Sequence, residues 1–444
     1  MPITPPVGGR MAGYALRTEP AQSVNDDLML RAVLFDDGDT IVVLVVCDLI
    51  YATAELTAAI REAIAAELAI PPLSIIVCTT HTHSGPAHLT GVQGTTLREA
   101  IAERAKAASR RAHAERQSVD LVLGSRIIPG ISANRRTVAR CPDATARILI
   151  AQAQDTGFPV ATILNFACHA TVLEHDWCSY SADFPGAACR DIEAAIGGVA
   201  VYLQGCAGDT NPVFTAHDWD ECCRIGRILA TTATQVALEG QGLARGLRTV
   251  SPTFQEEFDA SALASSTLVP GTPLAVSTTR VHVGAPVALP PPDQIDRERA
   301  RLAPALENPD VDTRRQAASA DSELWIQQLR TDEPNLFGVV DTEAPTLELQ
   351  ALHLGPELSL LALPGEPFAK TDADIRRRAD RHVLIAGYAN QSAGYLPTRH
   401  EFPRGGYEVG CSQYPAGTAE AVVNAAVRLL DEQSGTSDPA LPSE

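Results

Sequence analysis

Lysine is nearly missing from this chain: of 35 basic residues only Lys106 and Lys370 are lysines, and the rest are arginines. That excludes a lysine-rich tail and leaves few candidates for Schiff-base or carbamylated-lysine chemistry. Positive charge as a whole is short. The formal net charge is -19, so a phosphate backbone or an anionic membrane surface is repelled over most of the surface, and nucleic acid is not expected as a partner. No apolar run approaches the roughly 20 residues that cross a bilayer, and the N-terminus "MPITPPVGGRMAGYALR" has no apolar signal region. There is no CxxC motif. The 10 cysteines are scattered, several inside apolar runs such as "IVVLVVC" ending at Cys47 and "IIVC" ending at Cys78, which reads as buried thiols in a reducing cytoplasm. Internal repeats and low-complexity blocks are also missing. These absences predict a cytoplasmic protein that binds a small molecule rather than nucleic acid or membrane, with self-association left open.

Core-forming material is ample. Of 444 residues 45% are hydrophobic and 20% charged, ordinary for a globular chain that folds without staples. The stretch "LMLRAVLFDDGDTIVVLVVCDLI" at 28–50 sets two apolar runs around an Asp-Asp-Gly-Asp turn, a hairpin signal. An Ala-rich amphipathic helix is predicted over 53–69, followed by the strand "LSIIVC". The alternation continues with a helix at 96–116, strands near 119–128 and 146–150, the strand "VATILNFAC" at 160–168, a helix near 186–196, the strand "VAVYLQGC" at 199–206 and a helix at 218–239. Residues 240–340 change character: β-like stretches and Pro-rich punctuation lead into a charged segment at 292–331, read as a helix with a solvated face. The strands "TLELQALHLG" and "LSLLALPG", a helix at 367–381, the strand "HVLIAGYA" and a helix at 416–432 complete the series. Hairpins beside crossovers predict an α/β fold of mixed β-sheets flanked by helices. One domain over 1–432 is expected, with 240–340 as an excursion shaping the substrate entrance and 433–444 as a disordered tail.

The informative polar residues sit where strands end and loops begin, where α/β proteins carry their chemistry. "CTTHTHSGP" at 78–86 sets His81 and His83 one residue apart after an apolar run. In extended backbone i and i+2 project to one face, so both imidazoles can reach one site. His169 follows "ILNFAC", Glu366 follows "LLALPG" and Tyr395 follows "LIAGYANQSAG". Nitrogen and oxygen donors from separate strands suit an open zinc site, which keeps one position for water or substrate. A lone histidine at a strand end is more often a satisfied polar residue. Two adjacent imidazoles are harder to read that way, because packing them together costs electrostatic energy unless they are held neutral or ligated. The HxHxDH pattern of metallo-β-lactamase-type hydrolases does not fit, since Gly85 and Pro86 stand where it needs Asp and His.

As an ordered series, "THTHSGP" at 80–86, "NFACHAT" at 165–171, "GDTNP" at 208–212, "LPGE" at 363–366, "AGYANQSAGYLPT" at 386–398 and "GGYE" at 405–408 resemble the motif blocks of the catalytic domain of neutral/alkaline non-lysosomal ceramidases. The opening "MAGYALR" and "NDDLMLRAVLF" look like that family's N-terminal blocks, so the resemblance runs from about residue 7 to 432. The family members are zinc amidases. Carried over position by position, the resemblance makes His81, His169, Glu366 and Tyr395 the ligands of one zinc ion per chain, with His83 an unligated catalytic imidazole beside them. It matches Arg135 in "SANRRT" to the active-site arginine, Tyr407 to the tyrosine that contacts the oxyanion, and Asp183 in "SADFPG" to a residue orienting a ligand; as a helix N-cap, Asp183 would read equally well.

Two departures stand out. The family's serine nucleophile falls on Asn211, whose amide cannot form an acyl-enzyme, and the chain stops soon after its last helix where ceramidases carry a further β-domain. The expectation is a zinc-dependent amidohydrolase that uses water directly on a linear or cyclic amide or related acyl bond, with Asn211 positioning substrate or water and Arg135 available to a substrate carboxylate. The alternatives are a zinc-containing binding module without turnover and a true ceramidase.

Overall fold

Strands such as Ile41–Cys47, Ile75–Thr79 and Val199–Gln204 are apolar at nearly every position because both faces of their sheets are covered. The computed structural model describes residues 1–14, 17–87, 94–137, 144–250, 257–284, 287–332 and 346–432; the expected tail at 433–444 lies outside them. A three-stranded sheet pairs Leu30–Asp36 with Ile41–Cys47 antiparallel and Ile41–Cys47 with Ile75–Thr79 parallel. A five-stranded sheet runs in the order Val199–Gln204, Pro159–Phe166, Thr145–Ala153, Val119–Ile127, Ser266–Val269, parallel in its first pair and antiparallel afterwards. A four-stranded sheet follows Leu274–His282, Thr346–Leu354, Leu358–Ala362, His382–Ala386, parallel only in its last pair. The mixed α/β architecture expected from alternating hairpins and crossovers is the one observed.

Period-two geometry sorts each strand between two cores. Val42, Leu44 and Val46 point into a central cluster shared by all three sheets, together with Leu149, Ile163, Val201, Leu360 and Leu384. Their neighbours Val43, Val45 and Cys47 face outward against the helices Ala54–Leu68 and Thr95–Ala114. In the same way Ile148, Ile150, Leu164 and Tyr202 meet the helices Asp183–Ile196 and Trp219–Arg245, and Leu361 and Ile385 meet Ala369–Arg378 and Thr418–Asp431. Each fully buried Leu or Ile contributes about 1.5–3 kcal/mol relative to exposure, so a register slip that turns polar positions into either core is excluded.

The charged stretch read as one solvated helix is two: Pro292–Leu306 and Val311–Asp332. "ENPD" breaks it, because the residue before Pro309 is disfavoured in the α region, and Asp310 then accepts from the Thr313 amide at 2.8 Å to start the second helix. An Arg299–Asp321 ion pair at 2.8 Å fastens the hairpin. Its second helix is not wholly solvated, since Ile326 is buried against Phe368, Tyr395 and Cys411. All nine described cysteines are free thiols, and no helix among the described residues is long and apolar enough to cross a membrane.

Candidate metal centre

The strand ends of the three sheets converge. An isolated bridge joins Thr82 to Ala170, and another joins Cys78 to Ala389, so the segments leaving Ile75–Thr79, Pro159–Phe166 and His382–Ala386 lie side by side. His81 and His83 do meet, with ring centroids 4.8 Å apart, though not through the extended geometry expected of an HxH pair. His81 sits at φ +62, a left-handed conformation that is uncommon without glycine; its amide donates to Leu49 O at 3.0 Å. His169 is fixed by its own amide on Thr210 O at 3.0 Å. Glu366 reaches the site because Glu366–Pro367 pairs parallel with Tyr395–Leu396. Gly208 is required for that approach, since a Cβ there would lie 2.4 Å from Glu366 O.

Two of the three imidazoles are pinned and one is not. The Nδ1 of His81 lies 2.8 Å from Ile50 O and that of His169 lies 2.7 Å from Ala207 O. A carbonyl only accepts, so each Nδ1 carries the proton and each Nε2 presents a lone pair. His83 is different: its buried Nδ1 has no hydrogen-bond partner, while its Nε2 lies 3.2 Å from His81 Nε2. Burial holds all three below the ordinary imidazole range, His81 and His169 at about 3, so they are neutral. Burial also raises the Glu366 carboxyl, opposed by His81 and Arg135 and by hydrogen bonds from Tyr395 and Tyr51.

The donor atoms fit a metal ion. His169 Nε2 and Glu366 Oε2 are both buried without a hydrogen-bond partner, although they are 3.3 Å apart, and His81 Nε2 lies 3.5 Å from the same oxygen. Tetrahedral zinc binds nitrogen and oxygen at about 2.0–2.1 Å, which sets ligand atoms roughly 3.3–3.4 Å from each other. The spacings of 3.2, 3.3 and 3.5 Å bracket that value. His81, His83 and His169 together could hold an ion, so either His83 or Tyr395 completes a four-donor set with His81, His169 and Glu366.

Arg135, Tyr407 and Asn211 are gathered at the rim, each half-buried. Arg135 donates to Tyr395 Oη at 3.0 Å, to Gly208 O at 2.9 Å and to Asn211 Oδ1 at 3.3 Å, and its Nε pairs with Glu408 at 2.6 Å. A guanidinium has five N–H donors. Three of them make those hydrogen bonds, while the Nε–H faces Glu408 as an ion pair without a hydrogen bond. Tyr407 meets Tyr395 edge to face at 5.8 Å. Asp183 is elsewhere: its carboxylate accepts from the Leu173 and Phe184 amides at 3.1 and 2.6 Å, so it ties the loop after His169 to a helix start and accepts from no histidine among the described residues.

Several close neighbours escaped the sequence reading. The Tyr388 ring lies over His81 at 4.1 Å, held there by backbone at φ +55, and its buried hydroxyl has no partner. Tyr51 donates to Glu366 Oε1 at 3.4 Å. Tyr14 packs on His83 at 5.1 Å, and Arg17 donates to four carbonyls, one of them His83 O at 2.6 Å. Tyr14 and Tyr388 lie inside the blocks "MAGYALR" and "AGYANQSAGYLPT", and Tyr51 follows a strand end; those positions were the available signals.

No protein-family model and no curated protein sequence matches the chain. Solved structures do. The neutral ceramidase from Pseudomonas aeruginosa superposes with a TM-score of 0.68 at 19% identity, over 97% of this chain and 72% of that one. A ceramidase complexed with C2 gives 0.69 at 20% identity, over 98% of this chain and 76% of its own. The chain therefore has a neutral-ceramidase-like α/β fold.

Proposed function

We propose that this chain is a zinc-dependent hydrolase of an amide or related acyl bond in a small soluble substrate, with the ion held by His81, His169, Glu366 and Tyr395. The observation that carries the reading is the pair of buried, unpaired atoms, His169 Nε2 and Glu366 Oε2, spaced with His81 as zinc ligands are, inside a fold shared with ceramidases. A zinc ion there supplies Lewis-acid polarisation of the scissile carbonyl and lowers the pKa of a water molecule.

The remaining work belongs to side chains. His83, unpinned at Nδ1, takes and returns a proton at Nε2. Arg135 and Tyr407 offer donors to charge developing on the carbonyl oxygen, and Glu408 keeps Arg135 in place. Asn211 orients substrate or water; an amide in that position forms no acyl-enzyme. The net charge of -19 favours a substrate delivered from water over one drawn from an anionic bilayer.

Metal analysis and hydrolysis of a panel of N-acyl amino acids and ceramide, with and without chelator, test the proposal. About one zinc per chain is expected, with chelation abolishing turnover and His169→Ala losing both metal and activity. Full zinc occupancy in His169→Ala would refute the ligand set, and zinc without turnover on any amide would favour the binding-module reading, to which Asn211 lends support.

A further inference from the structure

His81 and His169 each have a backbone carbonyl at Nδ1, whereas the His83 Nδ1 is buried without a partner. A ring without that tether is oriented by its own main chain and by what packs on it. Both constraints come from the N-terminal segment. Met11 bridges antiparallel to Pro86, the Ala12 amide donates to Gly85 O at 2.9 Å, and the Ala87 amide donates to Arg10 O at 2.9 Å, so this segment runs alongside the chain leaving His83. The Tyr14 and His83 rings then meet edge to face, with centroids 5.1 Å apart. The Tyr14 hydroxyl donates to Leu173 O at 2.8 Å, in the loop that follows His169.

Arg17 joins these pieces. It is 8% exposed. Its Nη1 donates to His83 O at 2.6 Å and to Ala12 O at 2.9 Å, its Nη2 to Glu174 O at 3.0 Å and its Nε to His175 O at 3.1 Å. One guanidinium thus spans the N-terminal segment, the chain at His83 and the loop after His169, and its carbon lies 4.9 Å from the Tyr14 ring centroid. Arg17 pairs with no carboxylate among the described residues, and a buried cation satisfied by carbonyl oxygens alone is costly. What it brings is geometry: a planar fork reaches four acceptors in fixed directions, which an ammonium with three donors on a flexible stem does not.

We infer that Arg17, acting with the Tyr14 ring, is the positioning residue for His83 and aims its Nε2 at the metal-binding atoms, as carbonyl oxygens aim those of His81 and His169. Its consequence for turnover rests on the hydrolase reading above, in which His83 moves the proton; the positioning itself does not.

NMR of the histidine rings, in protein labelled at histidine Cε1, tests this, with the His83 resonance assigned by its loss in His83→Gln. In Arg17→Lys the single His83 resonance should broaden or split as the ring takes up several orientations, while those of His81 and His169 stay in place. Tyr14→Phe, which keeps the ring and cuts its tie to Leu173 O, should have the same effect to a smaller extent, and it decides alone if Arg17→Lys does not fold. Equal disturbance of all three resonances, as general loosening would give, overturns the inference, and so does an undisturbed His83 resonance in every variant that folds. On the N-acyl amino acid that wild type hydrolyses fastest, Arg17→Lys should lower kcat by about 10- to 100-fold, with KM within about threefold and the zinc retained. An unchanged kcat overturns the inference. Wild-type protein without turnover counts against the hydrolase reading instead, and the ring resonances then decide the positioning.

Discussion

His81 and His169 rise from strand ends packed on both faces, are themselves 1% and 0% exposed, and are each pinned through Nδ1 to a carbonyl. The helix Val311–Asp332, which carries Trp325, buries only Ala317 and Ile326 among its described side chains and leaves Val311 exposed. The first region has no room to adjust: neighbouring backbone holds each ligand candidate, and the sheets behind it are sorted into two cores. The second leans on the first through a few side chains. A precise donor geometry needs rigid support, which the first region has and a thinly buried helix does not supply.

Within the first region His83 is the imidazole without a carbonyl at Nδ1, and replacing it gives the largest expected effect. His83→Gln should lower kcat by about 10²–10⁴ while metal analysis still finds about one zinc per chain. Loss of the metal from that variant would break the distinction between pinned and unpinned imidazoles and make His83 a ligand. A smaller effect is expected where the N-terminal segment presses on the floor. Gly13 adopts φ +105, and a Cβ there would fall 2.6 Å from His83 Cβ, whereas Gly38 at φ +96 has open space around it. Gly13→Ala should therefore cost more than Gly38→Ala, each carrying about 1–3 kcal/mol of backbone strain and only the first adding a clash. Denaturant midpoints of the two variants measure the difference, and equal midpoints would show that the segment yields easily. The smallest effect belongs to the excursion away from the site: Leu263, 81% exposed, should be replaceable by Ser within about 0.5 kcal/mol, with zinc content unaltered. A larger loss of stability would mean that this surface is covered.

The strands and most helices were legible because burial on both faces leaves a continuous apolar run and helix faces leave a 3.6-residue period. The hairpin at Asp36–Ile41 was legible from its turn residues, and Gly38 takes the positive φ that turn requires. The meeting of His81, His169, Glu366 and Tyr395 was anticipated through motif resemblance, but how the HxH pair meets was not, since nothing local announces that His81 departs from extended backbone. Arg135 illustrates the same limit. Its presence in "SANRRT" marks an arginine near the site, yet its commitment to Tyr395, 260 residues away, and to Glu408 is invisible to any local pattern. The break at Pro309 was readable in principle; the surrounding charge periodicity concealed it.

The sequence alone determined the alternating α/β architecture, the acidic surface and the candidate donor set, because periodicity, charge and residue chemistry are local properties that survive without coordinates. Only the tertiary structure decided which nitrogen of His81 and His169 faces the centre, that Arg135 is engaged by Tyr395, Gly208, Asn211 and Glu408, and that Ile326 from a distant helix joins Tyr395 in one buried cluster. Those outcomes depend on which backbone carbonyls and side chains from distant segments come within hydrogen-bond or packing distance, and that is settled when the three sheets bury their faces against one another.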